Sequence, residues 1–472
     1  MRPEEPDPSP HADLFRHRLE HILDQRHELF RLSALIDWHE FDAAFGKLYC
    51  ADNGSPAKAT RLMVGLQYLK HLYGLSDDAV VKRWIENPYW QYFCGEDYFQ
   101  HQLPIDPSSM TRFRRRIGEA GCEQILKSTV KAGLQSKTIK ASDLKRVTVD
   151  TTVQEKAVSF PTDSKLLNRS RVRLVKLCRQ HGVVLRQSYA RKGPEALLRV
   201  NRYAHARQQR RMRRQVKRLK TYLGRVVRDI ERKIAGQVDL QAVFSDELTK
   251  AKRLLAQQKS DRNKLYSLHA PEVECISKGK AHKRYEFGVK ASIATTNKSN
   301  FVVGGLALPG NPFDGHSLVS ALAQVRRLTG RAVEEAFVDR GYRGHGEEQT
   351  RVYISGQKRG IKTRRLQRSL KRRQAIEPVI GHLKADGLLG RNYLKGSVGD
   401  QMNVMLSCAG HNLRLILRQL RIFYRRLFGG ATLLTGLEHF VGRCKTLLTN
   451  NASWRYPRAT SNRLRVYTLY VS

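Results

Sequence analysis

The chain has 472 residues, with 86 Lys and Arg against 43 Asp and Glu and a formal net charge of +43. That length predicts two or three domains with real cores, and the charge points to a polyanionic partner, bound strongly and with a steep salt dependence. A membrane role is not expected, because no uncharged stretch approaches the roughly 18 residues of a span. The Pro- and acid-rich start, Met1 to His11, reads as neither signal nor transit peptide, which predicts a cytoplasmic chain with access to DNA. The seven cysteines are scattered singly, without zinc-site spacing, and read as reduced apolar fillers.

Residues 1–30 are expected to be loosely ordered, and 31–140 to form a helical domain. From Ala57 to Gly118 the apolar spacing is helical: Leu62, Val64, Leu66, Leu69 and Leu72 make one face, and Gly74-Leu75-Ser76-Asp77 reads as a turn with an N-cap. A second helix carries Val80, Val81 and Trp84 and stops before Asn87-Pro88. Asp106-Pro107-Ser108 opens a short third helix bearing Arg112, Arg114, Arg115 and Arg116. This pattern fits either a DNA-reading helix-turn-helix or a plain bundle with a solvated arginine face. Trp84, Trp90 and Tyr92 read as core or as stacking platforms.

Lys145 to Thr152 changes to β-branched alternation, a strand ending in acid. Between Pro161 and Leu265 there are 29 Lys and Arg against 8 Asp and Glu. Helical runs near Arg207–Arg232 and Leu240–Gln258 predict a hairpin or small bundle with a basic outer face, either gripping nucleic acid or merely solvated. Strands resume at Arg284–Ser292 and Phe301–Leu308, a helix follows at His316–Leu328, and further strands cover Glu335–Asp339 and Val352–Ser355. Strands alternating with helices predict a mixed α/β sheet.

Three acids stand out. Asp150 and Asp339 are each read at the end of an apolar strand, where sites gather in open sheets, and Glu377 opens a helix that Pro378 confines to a start near Gln374. Singly, each has a structural explanation: a turn cap, or a pair with Arg340, Arg343 or Arg373. Together they would repel unless a cation lay among them. Oxygen-only ligands that also admit phosphate favour Mg²⁺ or Mn²⁺, and two such ions suit phosphodiester displacement. Nine basic residues and no acid fill Lys358–Arg373, a strip suited to phosphate contacts. His316, His345 and His382 lie near these motifs as surface or orienting groups.

The order Asp150, Asp339, Glu377, with D-R-G-Y-R-G at 339–344 and Arg373, Glu377 and Lys384 at R-x3-E-x6-K spacing, resembles the DDE transposases of bacterial insertion sequences, nearest to insertion sequence family five. Supporting segments are V-T-V-D-T-T-V-Q-E-K at 147–156, F-P-T-D-S-K-L-L at 160–167, Y-E-F-G-V-K at 285–290 and G-N-P-F-D-G-H at 310–316. Leu370 stands where the family often has tyrosine.

The resemblance implies an RNase H-like mixed-sheet catalytic core (141–160 and 271–420) with an all-α N-terminal domain, a basic helical insertion at 161–270 and a C-terminal tail, 421–472, of unclear role. It implies that Asp150, Asp339 and Glu377 are catalytic and hold Mg²⁺ or Mn²⁺. Arg373, Lys384, Arg372, Lys371, Arg340, Arg343, Arg114 and Arg115 are the expected DNA contacts. The implied activity is cleavage at the ends of the element and transfer to target, on double-stranded DNA, by a homodimer at the nucleoid. The alternatives are a metal nuclease or resolvase that does not join strands, and an inactive domesticated DNA-binding protein.

Overall fold

The computed structural model describes residues 16–50, 56–258, 260–261, 263–277, 284–357 and 363–449, with side chains to residue 422. The described chain opens with α1 (Leu19–Ile22), α2 (Glu28–Leu35) and α3 (Trp38–Phe45). Residues 16–30 are therefore not the loose leader their composition suggested. Leu19 and Leu29 are buried, and His27 and Phe30 stack on Tyr89 and Tyr92 with ring centroids 3.8 and 4.3 Å apart.

The next boundaries fall where local chemistry puts them. α4 (Thr60–Tyr73) ends at Gly74, which takes the left-handed conformation (φ 65°). Ser76 caps α5 (Asp77–Glu86) by accepting from Ala79 N at 3.1 Å. Asn87 caps α6 (Pro88–Phe93), with Pro88 in its first turn. The third predicted helix is not short: α7 runs Ser108–Gln135, kinked at Gly118 (φ 61°, ψ −160°). Trp84 and Trp90 are core residues, and Tyr92 is half-buried on Phe30.

β1 (Arg146–Glu155) runs past Thr152, so Asp150 lies mid-strand and not at a strand end. The extension comes from a distant partner that local alternation cannot reveal. The segment then leaves for four helices, α8 (Asp163–Gln180), α9 (Lys192–His205), α10 (Gln209–Ile234) and α11 (Val238–Ala256), which share a core of their own around Leu174, Leu223, Ile230 and Phe244. The insertion is thus the bundle of the two forms considered.

The sheet resumes with β2 (Glu274–Ile276), β3 (Glu286–Thr296) and β4 (Val302–Leu308), then α12 (Asp314–Thr329), β5 (Glu335–Val338) and β6 (Arg351–Ile354). The strand order is β2-β3-β1-β5-β6, with β4 also on β3. β3 pairs antiparallel with β1, β2 and β4, whereas β1–β5 and β5–β6 are parallel, giving a mixed sheet.

α13 (Arg364–Arg372) meets α14 (Ile376–Ala385) through a 3-10 turn at Arg373–Ala375, which leaves Pro378 harmlessly in the first turn of α14. α15 (Gly396–Thr449) is long and was not foreseen. Its N-terminal part covers β4: Asn412 bonds Val302 N and O (2.9 and 2.8 Å), and Gln401 bonds Ala307 N and Gly305 O (2.6 and 3.1 Å). These amides satisfy backbone groups that another strand would otherwise pair. At Gly410 a Cβ would lie 2.4 Å from His71 O, so only glycine lets α15 approach α4 this closely. The compact unit ends at Gln419; from Leu420 a second unit begins, in which the helix continues to Thr449, and residues 450–472 lie outside the described part. No described helix is long and apolar enough to cross a membrane.

Candidate active site

The parallel β1–β5 register pairs Thr148 with Phe337. Asp150 and Asp339 each follow that last pair by two residues, toward the same end of the two strands. Each carboxylate is tied to its own backbone. Thr151 N donates to Asp150 Oδ1 at 2.7 Å, and Gly341 N donates to Asp339 Oδ1 at 2.9 Å, closing the turn after β5.

The same turn buries Tyr342. Burial, and then the negative charges of Asp150, Asp314 and Asp339, push its hydroxyl well above the usual phenol range. Ser292, buried on β3 opposite Thr151, faces the Tyr342 hydroxyl and moderates that rise. Asp314 opens α12; its Oδ1 accepts from Thr151 Oγ1 at 3.0 Å and Lys290 Nζ at 3.2 Å. Asp314, Lys290 and Tyr342 all lie in segments quoted above, yet none was given a role. Only their shared surroundings in three dimensions distinguish them.

α14 packs against β1, bringing Glu377 to the element beside Asp150, with its side chain exposed. Arg373 lies 3.6 Å from Asp150 Oδ2. Among the described residues no three acidic, histidine or cysteine side chains stand close enough to hold one ion. Asp314 Oδ2 and Asp339 Oδ1 each lie 3.1 Å from where a Cβ on Gly341 would stand, and Glu377 is exposed on α14.

Residues 17–116 match a family described as a transposase domain (DUF772), and residues 344–417 match the family described as a transposase DDE domain. The chain belongs to the DDE transposases of insertion sequences. The DDE match contains Arg373, Glu377 and Lys384; Asp150 and Asp339 lie outside it. An uncharacterised protein, ORF8 in the nfe locus of Rhizobium meliloti, is 54% identical over 208 residues, covering 44% of this chain and 100% of that protein. No solved structure matches.

Several of the transposase's expected DNA contacts are engaged within the fold. Arg372 donates to Asn297 O at 2.7 Å and to Lys298 O, and Lys384 Nζ lies 3.8 Å from Glu286. Arg114 is buried and makes two bonds to Asp77, at 2.9 and 2.5 Å, so it is not part of a surface arginine face. Arg115, Arg340, Arg343 and Lys371 are exposed. Residues 358–362 of the basic strip lie outside the described part. His316 packs edge-on against Phe313, His345 Nδ1 accepts from Glu347 N, and His382 pairs with Asp386 at 3.0 Å.

DDE transposases generally use divalent metal ions. Asp150, Asp339 and Asp314 are oxygen donors of the chemistry such an ion takes, while among the described residues no three acidic groups stand close enough to hold one.

Proposed function

We propose that this transposase binds the ends of its mobile element and catalyses metal-dependent strand cleavage and strand transfer, using an RNase H-like core formed by 141–160 and 271–420. What supports this reading is the parallel β1–β5 pairing, in which Thr148 opposes Phe337 two residues before Asp150 and Asp339, in a chain of net charge +43.

Asp150, Asp339 and Glu377 would hold Mg²⁺ or Mn²⁺, which activates a water or a 3′ hydroxyl and stabilises the leaving oxygen. Glu377, at the exposed start of α14, completes the set when DNA is seated. Arg373 neutralises Asp150 in the free chain and turns to a phosphate when DNA and the ion enter. Lys384, Arg372, Lys371, Arg340, Arg343 and Arg115 contact the backbone, giving position rather than sequence. Arg114 acts indirectly, by anchoring the helix that carries Arg115. The helical region 31–140 supplies end recognition, and the insertion at 161–270 adds a non-specific grip. Two ends handled together call for two copies of the chain, acting at the nucleoid.

The test is cleavage and joining of oligonucleotide ends by Asp150→Asn and Asp339→Asn. Loss of several kcal/mol of transition-state stabilisation predicts at least about a thousandfold slower cleavage, with end binding retained. Wild-type rates in either variant overturn the assignment. Precleaved ends that join to target support a transposase, and cutting without joining identifies a nuclease or resolvase.

A further inference from the structure

A cleft of about 1130 Å³, whose lining includes neither Asp150 nor Asp339, separates the helical region from the core. One wall is the turn between α4 and α5 with the start of α7, and the other is the segment from Leu388 to Lys395 with the start of α15. Leu75, Leu394 and Val398 give it apolar surface, and the exposed Arg115, Arg391 and Lys395 give it positive charge. Asp77 is the one acid among the described lining residues, and Arg114 and Lys70 already bind it. Tyr393 lines the same cleft with 71% of its surface exposed, and the Arg391 guanidinium stands 5.7 Å from its ring centroid.

That exposed ring stands on a fixed base. The buried Asn392, between Arg391 and Tyr393 in the chain, donates from N to Glu155 O at 2.7 Å and from Nδ2 to Asp400 Oδ1 at 2.6 Å, and its carbonyl accepts from Ala157 N at 2.7 Å. Leu388 takes a left-handed φ of 65°, which bulky side chains rarely adopt, and Asn403 Nδ2 holds its carbonyl at 3.1 Å. Backbone kept in such conformations gathers at ligand clamps and active sites. Glu155 lies five residues beyond Asp150 on β1, a distance of about 17 Å, or roughly five nucleotides along one DNA strand.

We propose that this cleft takes an unpaired stretch of the DNA strand engaged at Asp150 and Asp339, with a base stacked on Tyr393 and the phosphates on Arg391, Lys395 and Arg115. An aromatic face among cations is the chemistry of single-strand binding, in which bases stack whatever their identity and the cations follow the backbone. A closed duplex offers its phosphates and keeps its bases stacked on one another, so it would engage the cations and leave Tyr393 idle. Strand cleavage creates ends from which bases can leave their pairs. The proposal rests on DNA binding as read above and not on the metal.

The experiment is equilibrium binding of the full chain, in EDTA, to a blunt duplex and to the same duplex carrying an unpaired oligothymidine tail, with thermal melting of each variant as a folding control. Wild type should prefer the tailed duplex. Tyr393→Ala should bind it about tenfold more weakly, 1.4 kcal/mol, and hold the blunt duplex as wild type does. Tyr393→Phe, which keeps the ring, should bind both probes normally. Changing Arg391 and Lys395 together to Gln should reduce the salt dependence on the tailed probe by a slope of about 1.4, near 0.7 per single-strand phosphate. Equal losses on the two probes would make the cleft a duplex surface and overturn the proposal. So would an unchanged Tyr393→Ala, or a loss in Tyr393→Phe as large as in Tyr393→Ala. Should Tyr393→Ala fail to fold, the Arg391 and Lys395 variant decides: a loss confined to the tailed probe supports the proposal, and any other result contradicts it. If wild type binds neither probe, the DNA-binding reading falls and takes this one with it. If it binds both alike, only the role of the cleft falls.

Discussion

Arg114 shows what a residue's chemistry leaves undecided until its neighbours are known. It sits with Met110, Phe113 and Ile117 at i, i+3, i+4 and i+7 on the buried face of α7. That spacing was legible, but three further arginines drew attention to charge instead. Burial alone would raise the Asp77 carboxyl; Arg114 and Lys70 overcome it and pull it down to about 2. Arg114→Ala leaves Asp77 with Lys70 alone and should cost about 3 kcal/mol in urea unfolding; a loss below about 1 kcal/mol would show the pair to be dispensable. The depressed carboxyl stabilises the fold fully above its unfolded value near 4, and that contribution fades as pH falls toward 2. His411 acts earlier. Burial, then Arg414, lowers it to about 4, so the unfolded chain takes up its proton first and stability falls as pH drops from about 6.5 to 4. The melting temperature should decline across that window, and less in His411→Gln; an equal decline would exclude His411 as a cause.

Among the elements, those with a clean local signature were readable. Gly74, Ser76 and Asn87 end and start helices by side-chain and backbone chemistry that needs no distant partner. α8 was missed although Leu166, Leu167, Leu174 and Val175 give it a buried face, because Lys and Arg crowd the rest of its surface. β1 was cut short at Thr152 because Thr151, Thr152 and Gln154 are buried polar residues whose place depends on pairing with β3. In α10, Arg210, Arg211, Arg213, Arg214, Lys217 and Arg218 are exposed, over a helix about 39 Å long at 1.5 Å per residue. With Arg213, Arg214 and Lys217 changed to Gln, the salt dependence of DNA binding should lose a slope of about 3, near 0.9 per phosphate contact, with melting unchanged. An unaltered slope would make this face merely solvated. Leu223→Ala, in the insertion core, should instead destabilise by about 2–5 kcal/mol and leave Mn²⁺ affinity intact; weaker Mn²⁺ binding in that variant would mean the insertion supports the metal site.

At the scale of the molecule, an interrupted sheet governs both the architecture and the site. β1 closes on β5 across the insertion, with Lys145 and Glu334, 189 residues apart, meeting at 2.7 Å. The mixed sheet was legible in the sequence; the parallel pairing of β1 with β5 across the insertion and the use of α15 as a cover for β4 were not. α15 was overlooked because its buried face includes the polar residues Asn403, Ser407, His411 and Asn412, and the partners of Asn403 and Asn412 are distant backbone and amide groups. The central claim is that remote acids share one divalent ion, and iron-directed hydroxyl-radical cleavage tests it most directly. The transposase loaded with Fe²⁺ in the presence of ascorbate and its DNA ends should break its own backbone near Asp150, Asp339 and Glu377. Those cuts should vanish with excess Mg²⁺ and in Asp150→Asn. Cuts elsewhere, or cuts indifferent to Mg²⁺ and to that substitution, would contradict the account.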